Sequence, residues 1–424
     1  MSGGVRRLLA TPIGVWTLFD QGLVSLGGVA TSIILARSLS PSNFGLYVLL
    51  FGAMLFLNTV HASFVVYPLS VRGARLDEPA LGAMTGTFLF LTLLCAISLA
   101  PILIGVSGVF GTIALAPWAI VALLAWEWQE TIRRALFAEL RHRAAIPGDV
   151  VAYLGQAALI LGLRETDHLT IRNVFIVMAV TSLVGAALQL TVLRPRRTGQ
   201  EQSVILAQGA LRDSRLVLPA NLLGSVIMQA LVWTLALVES RAGAADLQAL
   251  INIVGVANPV MFGVANIVIP LMARDSLHSS VASEGRRVGV VIAQGGAILL
   301  PYSLALMIWP RQILSLVYGH ASPYVVLSTP LRLLTVAYLL VYVAHVGNAT
   351  LLGLERTRAV LIVQSLGVVT LLLCGVPFAL VWGVTGAALA TVVVHAVRVC
   401  ACGRGAREAF ATPAPTSLPL VELI

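Results

Sequence analysis

Residues 16–68 read WTLFDQGLVSLGGVATSIILARSLSPSNFGLYVLLFGAMLFLNTVHASFVVYP. Two long apolar runs flank the turn Ser38-Leu39-Ser40-Pro41-Ser42-Asn43. Each run is long enough to cross a bilayer as a helix, which takes ~20 mostly apolar residues. Polar groups interrupt both: Asp20 and Gln21 in the first, Asn58 and His61 in the second. Asp20 lies 17 residues before Arg37, and His61 lies 17 residues after Phe44. At ~1.5 Å per residue both sit ~25 Å from the turn, at matching depth in the inner half of a membrane. If the two helices are antiparallel neighbours, Asp20 and His61 meet, either as a protonatable or cation-binding pair facing a cavity or as a structural hydrogen bond. Asn58 is one turn from His61 and shares its face.

The rest of the chain repeats this pattern. Of its 424 residues, 58% are hydrophobic and 11% charged, against about a quarter charged in soluble proteins. That excess of apolar residues points to a polytopic, all-α membrane protein. Twelve spans are expected, near 13–37, 44–70, 81–105, 109–130, 146–163, 171–193, 216–239, 246–272, 288–309, 328–351, 359–379 and 383–400. All 27 basic residues are Arg. The missing Lys excludes a Walker A phosphate loop and a Lys Schiff base. With the N-terminus inside, 21 Arg fall on inner segments and 6 on outer ones, namely Arg37, Arg164, Arg172, Arg241, Arg311 and Arg332. This bias predicts twelve spans with both termini cytoplasmic. The Arg residues mark helix ends, and no soluble domain is left to bind nucleic acid.

The predicted division is a six-helix bundle over 1–193, a cytoplasmic linker over 194–215 with a candidate amphipathic helix, a second six-helix bundle over 216–400, and a disordered tail over 401–424. The two bundles surround a central cavity, and the longest outer loop, 310–327, is expected to hold a short interfacial helix. Candidate pathway residues are Asp20, Gln21, Asn58, His61, Asn221, Gln229, Asn252, Asn258, His345 and Asn348. The amides serve either as interhelical glue or as cavity lining. Asn258 precedes Pro259, and Asn266 lies four residues before Pro270, so a bent, cavity-lining eighth helix is expected there. Arg133, Arg134 and Arg141, with Arg212 and Arg215, form either ordinary inner charge with local Glu pairing or a basic vestibule for a pyrophosphate. Cys95 and Cys374 sit in apolar runs, and Cys400-x-Cys402 lacks the second pair a zinc site needs. No metal or cofactor is expected, and no nucleophile–base set suggests an enzyme.

Several stretches resemble one family. Asp20-Gln21, Ala36-Arg37-Ser38-Leu39, Phe44-Gly45-Leu46-Tyr47, Asn58-x-x-His61 and Tyr67-Pro68 look like the first hairpin of the polysaccharide-transporter branch of the multidrug/oligosaccharidyl-lipid/polysaccharide exporter superfamily. His61 stands where that branch more often has Gln. Ile313-Leu314-Ser315-Leu316-Val317-Tyr318-Gly319, Tyr324 and Leu331-Arg332-Leu333-Leu334 are similar to its segment between helices nine and ten. The resemblance implies two six-helix bundles working by alternating access in a bacterial inner membrane. It implies transport of an undecaprenyl-diphosphate-linked glycan, with a glycan polymerase or export machinery as further partners. A proton- or cation-coupled small-molecule exporter of the same superfamily is the alternative.

Overall fold

The computed structural model describes residues 12–73, 76–196, 199–261, 268, 272, 281–354 and 356–411. Among them every regular element is helical and no strand occurs. Short polar turns set where helices begin. Ser40 caps α2, its hydroxyl accepting from the Asn43 N–H at 3.3 Å, with Pro41 opening the helix. Asp77 caps α3 in the same way through the Ala80 N–H at 3.0 Å, and Thr170 caps α6 through Asn173 at 3.2 Å. Such caps satisfy backbone donors that the first helical turn leaves unpaired.

The helices are α1 (Pro12–Ser38), α2 (Pro41–Arg72), α3 (Glu78–Val109), α4 (Ala116–Ala138), α5 (His142–Glu165), α6 (Ile171–Leu190), α7 (Gln200–Val238) and α8 (Arg241–Val254). They are followed by α9 (Val281–Ile308), α10 (Pro310–Tyr318), α11 (Ser328–Gly353), α12 (Thr357–Thr370) and α13 (Val376–Ala411). Among the described residues ten helical stretches are long and apolar enough to cross a membrane. Eleven of the twelve expected spans fall mainly on described helices, and the eighth, 246–272, is helical as far as Met261, the remainder lying largely outside the described residues. α4 holds much of the expected fourth span, but its Glu and Arg residues make it more polar than those ten. α12 and α13 run together over Thr357–Ala409, with a sharp break at Gly383 where φ is +55°. Only glycine adopts that conformation without a steric penalty. The chain is thus an all-helical, multi-pass membrane protein.

Widened π-turns interrupt α2 at Ala62–Val66 and α5 at Val150–Gly155, and another joins α12 to α13 at Leu371–Gly375. Two of them contain the residue four before a proline: Phe64 before Pro68 and Leu373 before Pro377. Proline cannot donate to that carbonyl and its ring crowds it, so the turn opens to make room.

Close packing divides the chain into two units, Met1–Val256 with Ser315–Val325 and Ala257–Leu314 with Val326–Ile424. In the first unit α4 packs along α6, and α2 packs on α8 and α7. Gly45 of α2 touches the α8 backbone, where an added Cβ would overlap the Arg241 carbonyl. Tyr47 stacks on Phe51 at 5.6 Å and meets Phe175 of α6 at 6.1 Å, and Phe51 stacks on Trp126 of α4 at 6.2 Å. In the second unit Tyr342 of α11 donates to the Val291 carbonyl of α9 at 3.0 Å, beside Leu299, Val346 and Ala349.

Three expectations need correction. Segment 200–215 is the start of the continuous helix α7, not a separate linker helix. Residues 401–411 continue α13 as helix instead of starting a disordered tail. Asp20 and His61 do not pair, because α1 lies chiefly against α5 while α2 lies against α7 and α8. Segment 310–318 is helical as expected. Asn266, Pro270 and residues 412–424 lie outside the described residues.

Gly45→Val should lower the unfolding free energy by about 1–3 kcal/mol through overpacking against α8. Gly28→Ala is the control, since nothing lies within 4 Å of its added Cβ. Thermal unfolding of the purified protein in detergent measures both.

Candidate functional site

Ionisable side chains inside a membrane are costly and tend to mark working parts. In the first unit they gather around Arg133, five residues before the end of α4. The Arg133 side chain is only 4% exposed. Each of its nitrogens reaches a carboxylate on a different stretch of chain. Nε donates to Asp149 of α5 at 3.1 Å, Nη1 donates to Glu130 of α4 at 2.8 Å, and Nη2 donates to Asp20 of α1. Arg134 adds a second cation, its Nε donating to Glu130 at 2.5 Å.

Neutral groups complete the shell. Asp149 accepts from Gln129 at 2.6 Å and from Gln189 of α6 at 3.0 Å, and Gln189 also donates to the Ala145 carbonyl at 3.0 Å. The Phe137 ring lies 4.8 Å from the Arg133 guanidinium carbon and 4.4 Å from the His142 ring. The set is a fixed network in which a planar fork of donors meets carboxylates from three helices. Three carboxylates face two guanidinium groups, so the cluster carries about one net negative charge when all its acids are ionised.

His61 belongs to a separate polar knot. Its Nε2 lies 3.2 Å from the Thr92 hydroxyl of α3 and 3.0 Å from the Thr131 hydroxyl of α4. One turn along α4, Glu127 is fully buried, and neither carboxyl oxygen has a partner among the described residues.

The other expected residues are scattered. Gln21 is half-buried on α1. The buried Asn58 Oδ1 has no partner among the described residues. Asn221 donates to the Ser63 hydroxyl at 3.1 Å, and Gln229 lies over Gly52. Asn252 accepts from Gln248 at 3.0 Å. In the second unit Asn258 is half-buried, His345 is half-buried and Asn348 is buried beside Cys402. Arg141 pairs with Glu139 at 3.1 Å near the surface, and Arg212 and Arg215 are exposed on α7. Of the five vestibule arginines, Arg133 and Arg134 meet in one network, and Arg133 is consumed by acids there. Asp149, Gln129, Gln189, Thr92 and Thr131 went unnoticed in the sequence. A lone acid inside the apolar run 146–163 is the signal that would have flagged Asp149.

No family model matches the sequence, and no curated protein matches it. Solved structures do match the fold. An inward-facing multidrug resistance MATE family transporter of the MOP superfamily superposes with a TM-score of 0.68 at 15% identity, covering 95% of this chain and 100% of that one. The eukaryotic MATE transporter AtDTX14 gives 0.67 at 14% identity, covering 96% and 98%. A MOP superfamily transporter from Pyrococcus furiosus, described as having a binding pocket of reverse polarity that suggests a different function, gives 0.63 at 14% identity, covering 98% and 99%. The fold is that of the MATE transporters. The two stretches that carry the resemblance in sequence also meet in space. Arg37 at the end of α1 donates to the Leu316 carbonyl of α10 at 3.4 Å, and Tyr318 donates to the Ala249 carbonyl of α8 at 2.7 Å.

Arg133→Met should cost about 3–5 kcal/mol, because it strands buried carboxylates without their cation. Glu127→Met should leave stability unchanged or raise it, since it removes a buried polar group that has no partner. Melting temperatures of the two purified variants check both expectations.

Proposed function

We propose that the chain is a transporter that moves an undecaprenyl-diphosphate-linked oligosaccharide across a bacterial inner membrane by alternating access of two six-helix bundles. The observation that carries this reading is the occupation of the first unit's acidic cluster by the built-in guanidinium of Arg133. A dedicated carrier of organic cations needs carboxylates free to receive them, and Asp20, Glu130 and Asp149 are already engaged. A glycan on a diphosphate instead calls for neutral hydrogen-bonding groups and a few cations. Asn58, Asn221, Gln229 and Asn252 in the first unit and Asn348 in the second supply groups of the first kind. The hairpin and 313–319 motifs, which contact each other through Arg37, support the same branch of the superfamily. A glycan polymerase or export complex would act on the product at the outer face.

One observation favours the second reading, a proton- or cation-coupled small-molecule exporter. Glu127 offers a buried carboxyl with both oxygens unpartnered among the described residues. The MATE fold of the structural neighbours suits this reading as well.

Deleting the gene should abolish one surface glycan while its lipid-linked precursor accumulates in the inner leaflet, seen by profiling lipid-linked oligosaccharides. An unchanged glycan, together with gradient-dependent efflux of a cationic dye that Glu127→Gln abolishes, would put the second reading first.

A further inference from the structure

The second unit holds a buried cation of the opposite kind from Arg133. α11 and α13 pack along each other, and at Gly347 they touch so closely that an added Cβ would sit 2.7 Å from the Cys402 Cβ. This contact holds the Cys402 thiol against Asn348 Oδ1 at 3.6 Å and the Ala344 carbonyl at 3.8 Å. One turn before Cys402 stands Arg398, 8% exposed. Its Nη1 donates to Nδ1 of His395 at 3.0 Å, and its buried Nε has no partner among the described residues. His345 of α11 lies within electrostatic range of the same guanidinium.

A guanidinium only donates hydrogen bonds. Nδ1 of His395 is therefore the acceptor and carries no proton, which leaves the Nε2–H of that ring as a further donor. The Arg398–His395 pair carries one full positive charge and no negative charge to match it. Among the described residues no carboxylate forms an ion pair with Arg398. Few acids lie near Arg398 in the sequence, the nearest on its own helix being Glu408, ten residues further on. From Val326 to Cys402 the only acidic residue is Glu355, and 288–314 contains none. A desolvated cation without a counter-charge costs several kcal/mol. Arg133 avoids that cost with three acids, whereas Arg398 has none among the described residues.

We infer that Arg398, His395 and Asn348 form a binding site for a phosphate or diphosphate group. The donor fork of arginine matches phosphate oxygens two at a time, the His395 ring adds a neutral donor beside it, and Asn348, held against Cys402 one turn further along α13, offers its amide. Arg398 stands 15 residues beyond the Gly383 break, which is roughly 22 Å along the helix. Arg404 and Arg407 follow on the same helix. That is a level where lipid head-group phosphates meet the protein. The phosphate can thus belong to a membrane lipid head group or to a soluble diphosphate. The inference rests on the proposed function only in linking such a group to the carried substrate.

The test uses the purified full chain in a neutral detergent, and in nanodiscs of phosphatidylcholine with or without phosphatidic acid. Binding of inorganic pyrophosphate is followed by the melting temperature, and binding of phosphatidic acid by native mass spectrometry. Arg398→Met should weaken binding by roughly tenfold or more, as expected for losing a charge-assisted pair, while Arg404→Gln, at an exposed site on the same helix, should not change it. In phosphate-free detergent Arg398→Met should melt at the wild-type temperature or above, because it removes an uncompensated charge. A clear drop there, or equal binding by wild type and Arg398→Met, overturns the site. Glu355→Gln should leave melting and binding unchanged. If it clearly lowers the melting temperature, Glu355 is the counter-charge and the site is refuted. Response to pyrophosphate identifies a soluble oxyanion, and retention of phosphatidic acid alone identifies a lipid head group. If the wild type binds phosphate through Arg398 but gene deletion leaves every surface glycan intact, the site stands and the transport reading fails. If deletion traps the lipid-linked precursor while Arg398→Met binds as wild type, the reverse holds.

Discussion

The guanidinium of Arg133, buried among Asp20, Glu130 and Asp149, is the interaction on which the first unit depends. Moving a single charge from water into a medium of low dielectric constant costs on the order of 20 kcal/mol in the idealised limit, and several kcal/mol after relaxation. The protein offsets that cost by placing one acid at each guanidinium nitrogen and by turning two glutamine amides onto Asp149. Because the acids come from α1, α4 and α5, the pairing also fixes which way each of these helices faces. A one-residue rotation of α1 or α5 would leave a carboxylate facing hydrocarbon. The network therefore acts as much on specificity of assembly as on stability.

The two units treat buried positive charge differently. Arg133 is matched by acids, and Arg398 is matched only by a neutral imidazole. Composition accounts for the contrast, since the spans around Arg398 contain almost no acidic residue. An interior cation with acids is a structural tie that resists exchange. One without acids has spare attraction for an incoming anion.

Much of the architecture was legible in the sequence. Among the described residues the expected spans fall on helices, because length and hydropathy decide whether a segment can satisfy its backbone inside a membrane. The Phe44-Gly45-Leu46-Tyr47 stretch stood out in the sequence only through a resemblance, and the structure gives its residues a packing role: Phe44 and Tyr47 fill the core and Gly45 admits the α8 backbone. Reading Asp20 and His61 as partners failed for a definite reason. Residue counting fixes depth along a helix, but not the neighbour that the side chain faces. At its depth Asp20 found Arg133, and His61 found two threonines. Arg133 looked like ordinary inner charge because its i−3 neighbour Glu130 supplies a local partner, while its partners on α1 and α5 are far away in sequence. Segment 200–215 looked like a linker for its polarity, yet polarity does not stop a helix that lacks a breaker.

By itself, the sequence determined that the chain is helical, which segments are apolar enough to enter a membrane, and where most helices start. These are local properties, set by apolar run length, caps and prolines within a few residues of each other. Only the tertiary structure decided which buried charges are paired, that the α10 segment joins the first unit through Leu316 and Tyr318, and that Arg398 stands without an acid among the described residues. Those facts depend on the rotation and adjacency of helices distant in sequence. Packing against neighbours sets both, and hydropathy along one strand of sequence carries no record of either.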